Sequence, residues 1–321
     1  MKISNIEKII FIGGNRYGEN GPLISFAEIA RQQGIGIFVI TTQEQSEYPT
    51  GSGGSLKESL EEKNFDYLVT DKLELSFIEE MSNKNTLLFL INCKWIIKSN
   101  LIERYNKRIV NYHNSEIPKQ KGAACHSWRI MVSEHRSALT IHHVIEEVDE
   151  GEAITCQKVE FPEDVKTLKQ SYLYIESIEK IFFKNFIKQR YSGNCTDQSS
   201  KGFYWPRINT QVNGFIDWNW SAKEIQQFVN AFSDPFDGAG TFVEEDEIRL
   251  KEVELDDIDT YFHPFQYGLV YRKIGNNFWV AAAGSGLKVI RYTSDCNMRI
   301  RVGKRLFTPA AILERAKKIP R

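Results

Sequence analysis

The chain has 321 residues, of which 26% are charged and 41% hydrophobic, and a formal net charge of −1. That length accommodates two domains, each with its own core. Near-neutrality provides no global positive field for nucleic acid, and no apolar run approaches the roughly 20 residues that span a bilayer.

The opening "MKISNIEKIIFIGG" lacks a small-residue cleavage site and reads as a first buried strand rather than a targeting segment. An amphipathic helix, "PLISFAEIARQQG", follows and closes at Gly34. Then come the strand "IGIFVITT", a polar loop, the helix "LKESLEEKN", the strand "FDYLVT", the helix "LSFIEEMSN" and the strand "NTLLFLINC". Apolar strands separated by helices of this length predict an α/β fold, a Rossmann-like parallel sheet covered on both faces. The Gly-rich loop "GGNRYGENG" does not fit G-x-G-x-x-G, because Gly13 and Gly14 are adjacent and the next glycines are Gly18 and Gly21. It reads as a strand-to-helix turn, not as a dinucleotide site.

"RIVNYHNS" reads as the end of another strand, where ligands of open α/β sheets gather. Period-two alternation puts Asn111 and His113 on one face. Further on, "ALTIHHVIEEVDEGEAITCQKVEF" reads as two strands around a turn that contains Asp149. An amide that can donate to an oxyanion, an imidazole that can carry a proton near neutral pH and a carboxylate that can orient it suit acyl transfer to an amine. His126, His135, His142 and His143 compete for the role; His142 and His143, adjacent on a strand, face opposite sides and cannot act as a pair.

After the polar loop "YSGNCTDQSSKG" the pattern changes. "SAKEIQQFVNAF" predicts one helix, with Ser221 as N-cap and Glu224 at the capping-box position. Short runs follow ("GAGTFVEE", "EIRLKEVEL", "YGLVYRKIG", "NFWVAAAG" and "GLKVIRYT"), separated by Gly or Asn turns, and predict a smaller β-barrel. The domains expected are therefore 1–203 and 204–321. Arg291, Arg299, Arg301, Lys304, Arg305, Lys317 and Lys318 make the end of the chain locally basic. This tail and the barrel edges are where a homodimer contact is expected, if one forms. Cys93, Cys125, Cys156, Cys195 and Cys296 are scattered without a C-x-x-C pair, which argues against zinc and for a reducing, cytoplasmic setting.

"NYHNSEIPKQKGAACHSWRI" resembles the Asn-x-His-x-Ser-x-Leu-Pro-x-x-x-Gly signature of the formyltransferases that use 10-formyltetrahydrofolate. "TIHHVIEEVDEGEAI" resembles that family's second motif, an Asp two positions before a Gly. "YWPRINTQVNGFIDWNWSAKEIQQFVNAFSDPFDGAGTF" is similar to the start of the C-terminal, OB-like domain shared by methionyl-tRNA and sugar formyltransferases. The resemblance implies that Asn111, His113 and Asp149 are the catalytic trio, stabilising the oxyanion and directing the proton as an uncharged amine attacks the formyl carbon. It also implies a folate segment at Trp95, Ile96 and Ile97, closed by Val148 and Asp149, with no metal. Three features depart from the family pattern: Glu116 and Ile117 stand where apolar residues precede the Pro, "KQKG" replaces K-Y-R-G, and the first loop is long.

The acceptor implied is the amine of a nucleotide-linked amino deoxysugar, of the kind built into surface glycans, with Lys121, Trp128 and Arg129 as substrate-side candidates. "GAACHSW" and "WPRINTQVNGFIDW" look closer to the sugar enzymes, and the acidic run "VEEDEIRLKEVELDDID" suits a polyanion poorly. The alternatives are a methionyl-tRNA formyltransferase, a non-catalytic binding module on the same fold and a formyl-folate hydrolase.

Overall fold

The computed structural model describes residues 6–16, 21–51, 53–189, 202–258, 260–294 and 300–318. Part of the Gly-rich loop (17–20), most of the polar loop before residue 202, Cys195, Cys296 and Arg299 lie outside the described residues. In chain order the elements run β1 (Lys8–Gly13), α1 (Gly21–Gln32), β2 (Gly36–Thr41), α2 (Gln43–Ser46), α3 (Leu56–Glu62), β3 (Asp66–Val69), α4 (Leu75–Met81), β4 (Thr86–Ile91) and α5 (Ser99–Tyr105). Next are β5 (Ile109–His113), β6 (Gln120–Gly122), α6 (Cys125–Met131), β7 (Arg136–His143), β8 (Ala153–Glu160), α7 (Leu168–Ile187) and β9 (Phe203–Trp205). The remainder is α8 (Thr210–Asn213), α9 (Ala222–Phe232), β10 (Ala239–Val243), β11 (Asp246–Asp256), β12 (Val270–Ile274), β13 (Asn277–Ala282), β14 (Ser285–Ser294), β15 (Leu306–Phe307) and α10 (Ala310–Ala316). Among the described residues no helix is long and apolar enough to cross a membrane.

The chain forms two compact units that interleave in sequence: Met1–Gly122, Arg136–Phe161 and Tyr172–Tyr204 make one, and Ala123–His135, Pro162–Ser171 and Trp205–Arg321 the other. The segment 123–135 groups with the later unit because α6 is tied there: Ser127 Oγ donates to the Ala231 carbonyl at 2.9 Å.

The first unit is built on a seven-stranded sheet of order β3-β2-β1-β4-β5-β7-β8. The first five of these strands are parallel, as the strand–helix alternation predicts; β7 and β8 run antiparallel to their neighbours. β8 follows β7 after a single turn and pairs back on it antiparallel, whereas β7 reaches β5 only after β6 and α6. Gly13, at φ +133°, ends β1 where a Cβ would lie 1.9 Å from the Ile91 carbonyl oxygen, so the first glycine of the loop serves the turn.

The alternation of β1, β4 and β5 separates two cores. One face holds Phe11 and Phe89 under Phe26 of α1 and Phe183 of α7, whose rings stack with centroids 4.1 Å apart. The other holds Ile10, Ile12, Leu88, Leu90 and Ile109 against Ile78, Leu101 and Tyr105. Sequence reading missed α7, although Ile175, Glu179, Phe182, Phe183 and Phe186 are all buried at three- and four-residue spacing.

Tyr112, between Asn111 and His113, points into the aromatic core, its ring centroid 5.1 Å from that of Phe26. Its hydroxyl donates to Glu179 Oε2 at 2.8 Å, and Arg16 donates to Glu179 Oε1, also at 2.8 Å. Burial and then the Glu179 charge push the Tyr112 phenol well above its ordinary value, which keeps it a donor. Burial works against the Arg16 charge, but Glu179 more than offsets it.

The second unit carries a six-stranded antiparallel sheet of order β12-β13-β14-β11-β10-β15. Register shifts between Leu250 and Val253 bend β11 against β14. The outer strands meet, with Val270 N–H donating to Lys304 O at 2.8 Å and Leu306 N–H to Gly268 O at 2.7 Å, so the sheet curls into the expected small barrel. Helix α9 has the expected capping box between Ser221 and Glu224 and buries Ile225, Val229 and Phe232.

Glu179→Ala strands a buried guanidinium and should cost about 3–5 kcal/mol. Tyr112→Phe, which removes one hydrogen bond to a charged group, should cost about 1.5–3 kcal/mol. Urea denaturation of both variants measures the difference, and equal losses would contradict the network.

Candidate active site

Strand β5 presents Asn111 and His113 on the face opposite Tyr112, and the antiparallel register with β7 sets His142 directly across from Asn111 and Thr140 across from His113. The turn after β7 begins at the other end of β5, where Val144 N–H donates to Ile109 O at 3.1 Å. It then folds back, so that Asp149 reaches the same face. The site therefore lies on one face of the β5–β7 ladder.

Asp149 occupies the left-handed region at φ 57° and is 9% exposed. A non-glycine residue held there is strained and needs surrounding contacts to keep it. The Gly122 N–H donates to Asp149 Oδ2 at 2.8 Å, and His113 Nδ1 lies 3.8 Å from the same oxygen. Asp149 Oδ1 faces His142 Nε2 at 3.5 Å and accepts from Asn111 Nδ2 at 3.4 Å. Gly151 makes the turn feasible, since a Cβ there would sit 1.7 Å from the His143 carbonyl oxygen. That is a steric reason for the glycine of the Asp-x-Gly motif. Burial alone would raise the Asp149 carboxyl, but the His113 charge, the His142 contact and the Gly122 N–H together hold it well below the usual carboxylate range.

The backbone settles which imidazole nitrogen can change its proton. His113 Nε2 lies 2.7 Å from the Gln120 carbonyl, which can only accept, and 2.6 Å from Ser115 Oγ; Ser115 Oγ in turn donates to that carbonyl at 2.8 Å. Nε2 therefore carries hydrogen, and Nδ1, facing Asp149, gains or loses the second proton.

Sequence reading named His142 only as a competitor for the imidazole role and did not place it beside Asn111 and Asp149. Its separation from His143 as a working pair stands, because the two side chains do alternate, but the register adds His142 to Asn111 and Asp149. The alternation in "TIHH" was visible; the strand partner and its register were not.

Of the residues expected at the folate segment, Trp95 and Ile97 pack on the apolar cluster that includes Ile109, the residue preceding Asn111 on the same face of β5. The Trp95 indole N–H donates to Asp71 O at 3.2 Å. Ile96 is 76% exposed and Val148 47%. The three substrate-side candidates belong to different units, Lys121 to the first and Trp128 and Arg129 to the second. Lys121 forms an ion pair with Glu150 in the first unit. Trp128 donates its indole N–H to Pro206 O at 2.9 Å and lines a cavity of about 400 Å³ in the second unit, with Trp220, Phe228, Phe232 and Leu313. Arg129 is buried and donates to Glu134 O at 2.8 Å and Ser171 Oγ at 2.6 Å. Burial lowers its guanidinium to about 10, with Glu134 opposing. These contacts give Trp128 and Arg129 structural work.

The family model described as "Formyl transferase" matches residues 11–184, and "Formyl transferase, C-terminal domain" matches residues 209–302. The chain belongs to the formyl transferase family. Among curated members, the bifunctional polymyxin resistance protein ArnA of Wigglesworthia glossinidia brevipalpis is 24% identical over 55% of this chain and 27% of its own length. The methionyl-tRNA formyltransferase of Protochlamydia amoebophila is 27% identical over 53% of this chain and 54% of its own, so this chain spans only part of either relative. The fold is shared with an N-formyltransferase from Helicobacter canadensis, solved with folinic acid and dTDP-3-aminofucose (TM-score 0.62, 18% identity, 88% of this chain and 98% of that one). It is shared too with WlaRD, a sugar 3N-formyl transferase solved with dTDP and 5-N-formyl-THF (TM-score 0.60, 20% identity, 91% and 99%).

Gly151→Ala should force the turn to shift and cost about 1–3 kcal/mol by chemical denaturation. Because the Asp149 carboxyl is depressed in the folded state, the stability it confers is present above the unfolded value of 3.8 and is lost as pH falls below it. The stability gap between the wild type and Asp149→Asn should narrow in that acid range.

Proposed function

We propose that the chain transfers a formyl group from 10-formyltetrahydrofolate to the primary amine of a nucleotide-linked amino deoxysugar in the cytoplasm, with catalysis in the segment 1–203. The observation that carries this reading is the convergence of Asn111, His113 and Asp149 on one face, with Asn111 and Asp149 38 positions apart in the chain and His113 and Asp149 buried. The donor fits the surroundings: Ile96 and Val148 leave apolar side chains uncovered, and the neighbouring cluster with Trp95 and Ile97 supplies an apolar wall. The two sugar formyltransferase structures, solved with folate compounds and dTDP or a dTDP-sugar, support the choice of both substrates.

Each side chain then has a task. Asn111 Nδ2 can turn an N–H from its long contact with Asp149 toward the formyl oxygen as negative charge develops there. Protonated His113 offers Nδ1–H to the same oxygen or to the departing nitrogen. Asp149, held ionised, faces His113 Nδ1 and orients the ring, and is poorly suited to carry the proton itself. The acceptor amine must arrive uncharged; as its nitrogen bonds to the formyl carbon and the bond from that carbon to the folate nitrogen breaks, His113 gives its Nδ1 proton to the departing nitrogen and takes the surplus proton of the amine.

Methionyl-tRNA is the competing acceptor, since such enzymes are among the relatives. A panel of nucleotide-linked 3-amino and 4-amino deoxysugars against charged initiator tRNA, each with 10-formyltetrahydrofolate, decides between them. Sugar turnover should change little between about 50 and 200 mM salt, whereas turnover of a polyanion should fall steeply. Formylation of the tRNA alone would overturn the sugar assignment. Asn111→Ala and His113→Ala should each lower kcat on the order of 100- to 1000-fold, with folate Kd nearly unchanged in a direct binding titration. Full turnover in either variant would remove the catalytic assignment.

A further inference from the structure

We propose that Lys121 and Glu150 are positioning residues: their ion pair fastens β6 to the Asp149 turn and so sets the distance between the Asp149 carboxylate and the His113 ring. The inference rests on the reading of Asn111, His113 and Asp149 as the catalytic groups.

Strand β6 has only three residues and lies outside the seven-stranded sheet, in a two-stranded ribbon with β9. So short a ribbon has little backbone pairing of its own to fix its place. Yet each residue of β6 holds a part of the site. The Gln120 carbonyl lies 2.7 Å from His113 Nε2 and accepts from Ser115 Oγ at 2.8 Å. The Gly122 N–H donates to Asp149 Oδ2 at 2.8 Å. Between them, Lys121 Nζ donates to Oε1 of Glu150, the residue after Asp149.

These contacts close a ring. From His113 Nδ1 the path crosses 3.8 Å to Asp149 Oδ2, enters β6 through the Gly122 N–H and returns by the Gln120 carbonyl to His113 Nε2. The step of 3.8 Å is the widest of the ring, and any shift of the turn against β6 appears there. A single hydrogen bond leaves the two segments free to pivot about it. The Lys121–Glu150 pair adds a second tie, joining the residue before Gly122 to the residue after Asp149, and two ties resist rotation as well as separation. The turn needs such support, because Asp149 is held at φ 57°.

The pair is also more than an incidental surface contact. The Lys121 side chain is 13% exposed and that of Glu150 46%. An ammonium so covered has lost much of its water and requires a carboxylate in compensation, whereas a freely exposed pair contributes little. Glu150 is itself braced, its N–H donating to the Glu147 carbonyl at 3.3 Å.

Two measurements test the proposal. The first needs no turnover: hydrogen exchange of the Gly122 amide, read by NMR in ¹⁵N-labelled protein. Lys121→Met, which keeps an apolar stem without the charge, and Glu150→Gln should each speed exchange at Gly122 about 10-fold or more, with much smaller changes at the amides of β4. Lys121→Arg, which keeps a cation able to reach Glu150, should retain the protection. Unchanged exchange at Gly122 in both uncharged variants, or equal acceleration throughout β4, would overturn the proposal.

The second is steady-state kinetics with 10-formyltetrahydrofolate and the fastest acceptor amine of the panel. Lys121→Met and Glu150→Gln should each lower kcat about 10-fold with acceptor KM nearly unchanged. The double variant should fall no further than either single one, since the same tie is already broken. Multiplicative losses would contradict the shared role. A rise in acceptor KM confined to Lys121→Met would refute it too, by assigning that side chain to the substrate. Full kcat in Asp149→Asn would instead mark the failure of the catalytic reading, whereas exchange at Gly122 reports on the tie whatever the reaction.

Discussion

The register between β5 and β7 is the constraint on which the site depends. A one-residue slip would turn every β5 side chain to the other face, sending Asn111 and His113 into the aromatic core and Tyr112 into the site. The Tyr112 hydroxyl, held by a buried carboxylate that is itself paired with Arg16, resists that slip from behind. A hydrophobic side chain at position 112 could specify the same face. The hydrogen bond adds a fixed depth, because a buried polar group must find its partner.

Above this ladder the Asp149 turn is held by several weak preferences acting together. Its left-handed backbone is unfavourable for a non-glycine residue, and its carboxylate loses water on burial. Against these act the Gly122 N–H, two imidazoles and the close approach that Gly151 permits. The arrangement keeps an ionised carboxylate where water is scarce, facing both imidazoles. Such preorganised dipoles and charges contribute most in sites that exclude solvent.

The nitrogen assignments follow from the backbone rather than from the imidazoles themselves. Each ring is tied to a carbonyl through one nitrogen, Nε2 in His113 and Nδ1 in His142, and turns the other toward Asp149.

Hydrophobic period and turn residues were enough to locate most strands, helices α1, α3 and α4 and the capping box of α9, because those features depend on neighbours a few positions apart; the short α2 and α5 were missed. Asn111, His113 and Asp149 were singled out through the family resemblance of their motifs, and the structure brings the three side chains together. The long helix α7 was legible too, in its three- and four-residue spacing, yet it was overlooked. What the residues alone could not decide was everything set by distant partners: the direction of β7 against β5, the burial of Arg129, the fixing of Trp128 against Pro206 and the place of His142 opposite Asn111. Strand pairing and burial are long-range events, decided when segments tens of residues apart meet, and a local pattern carries no record of which segment will arrive.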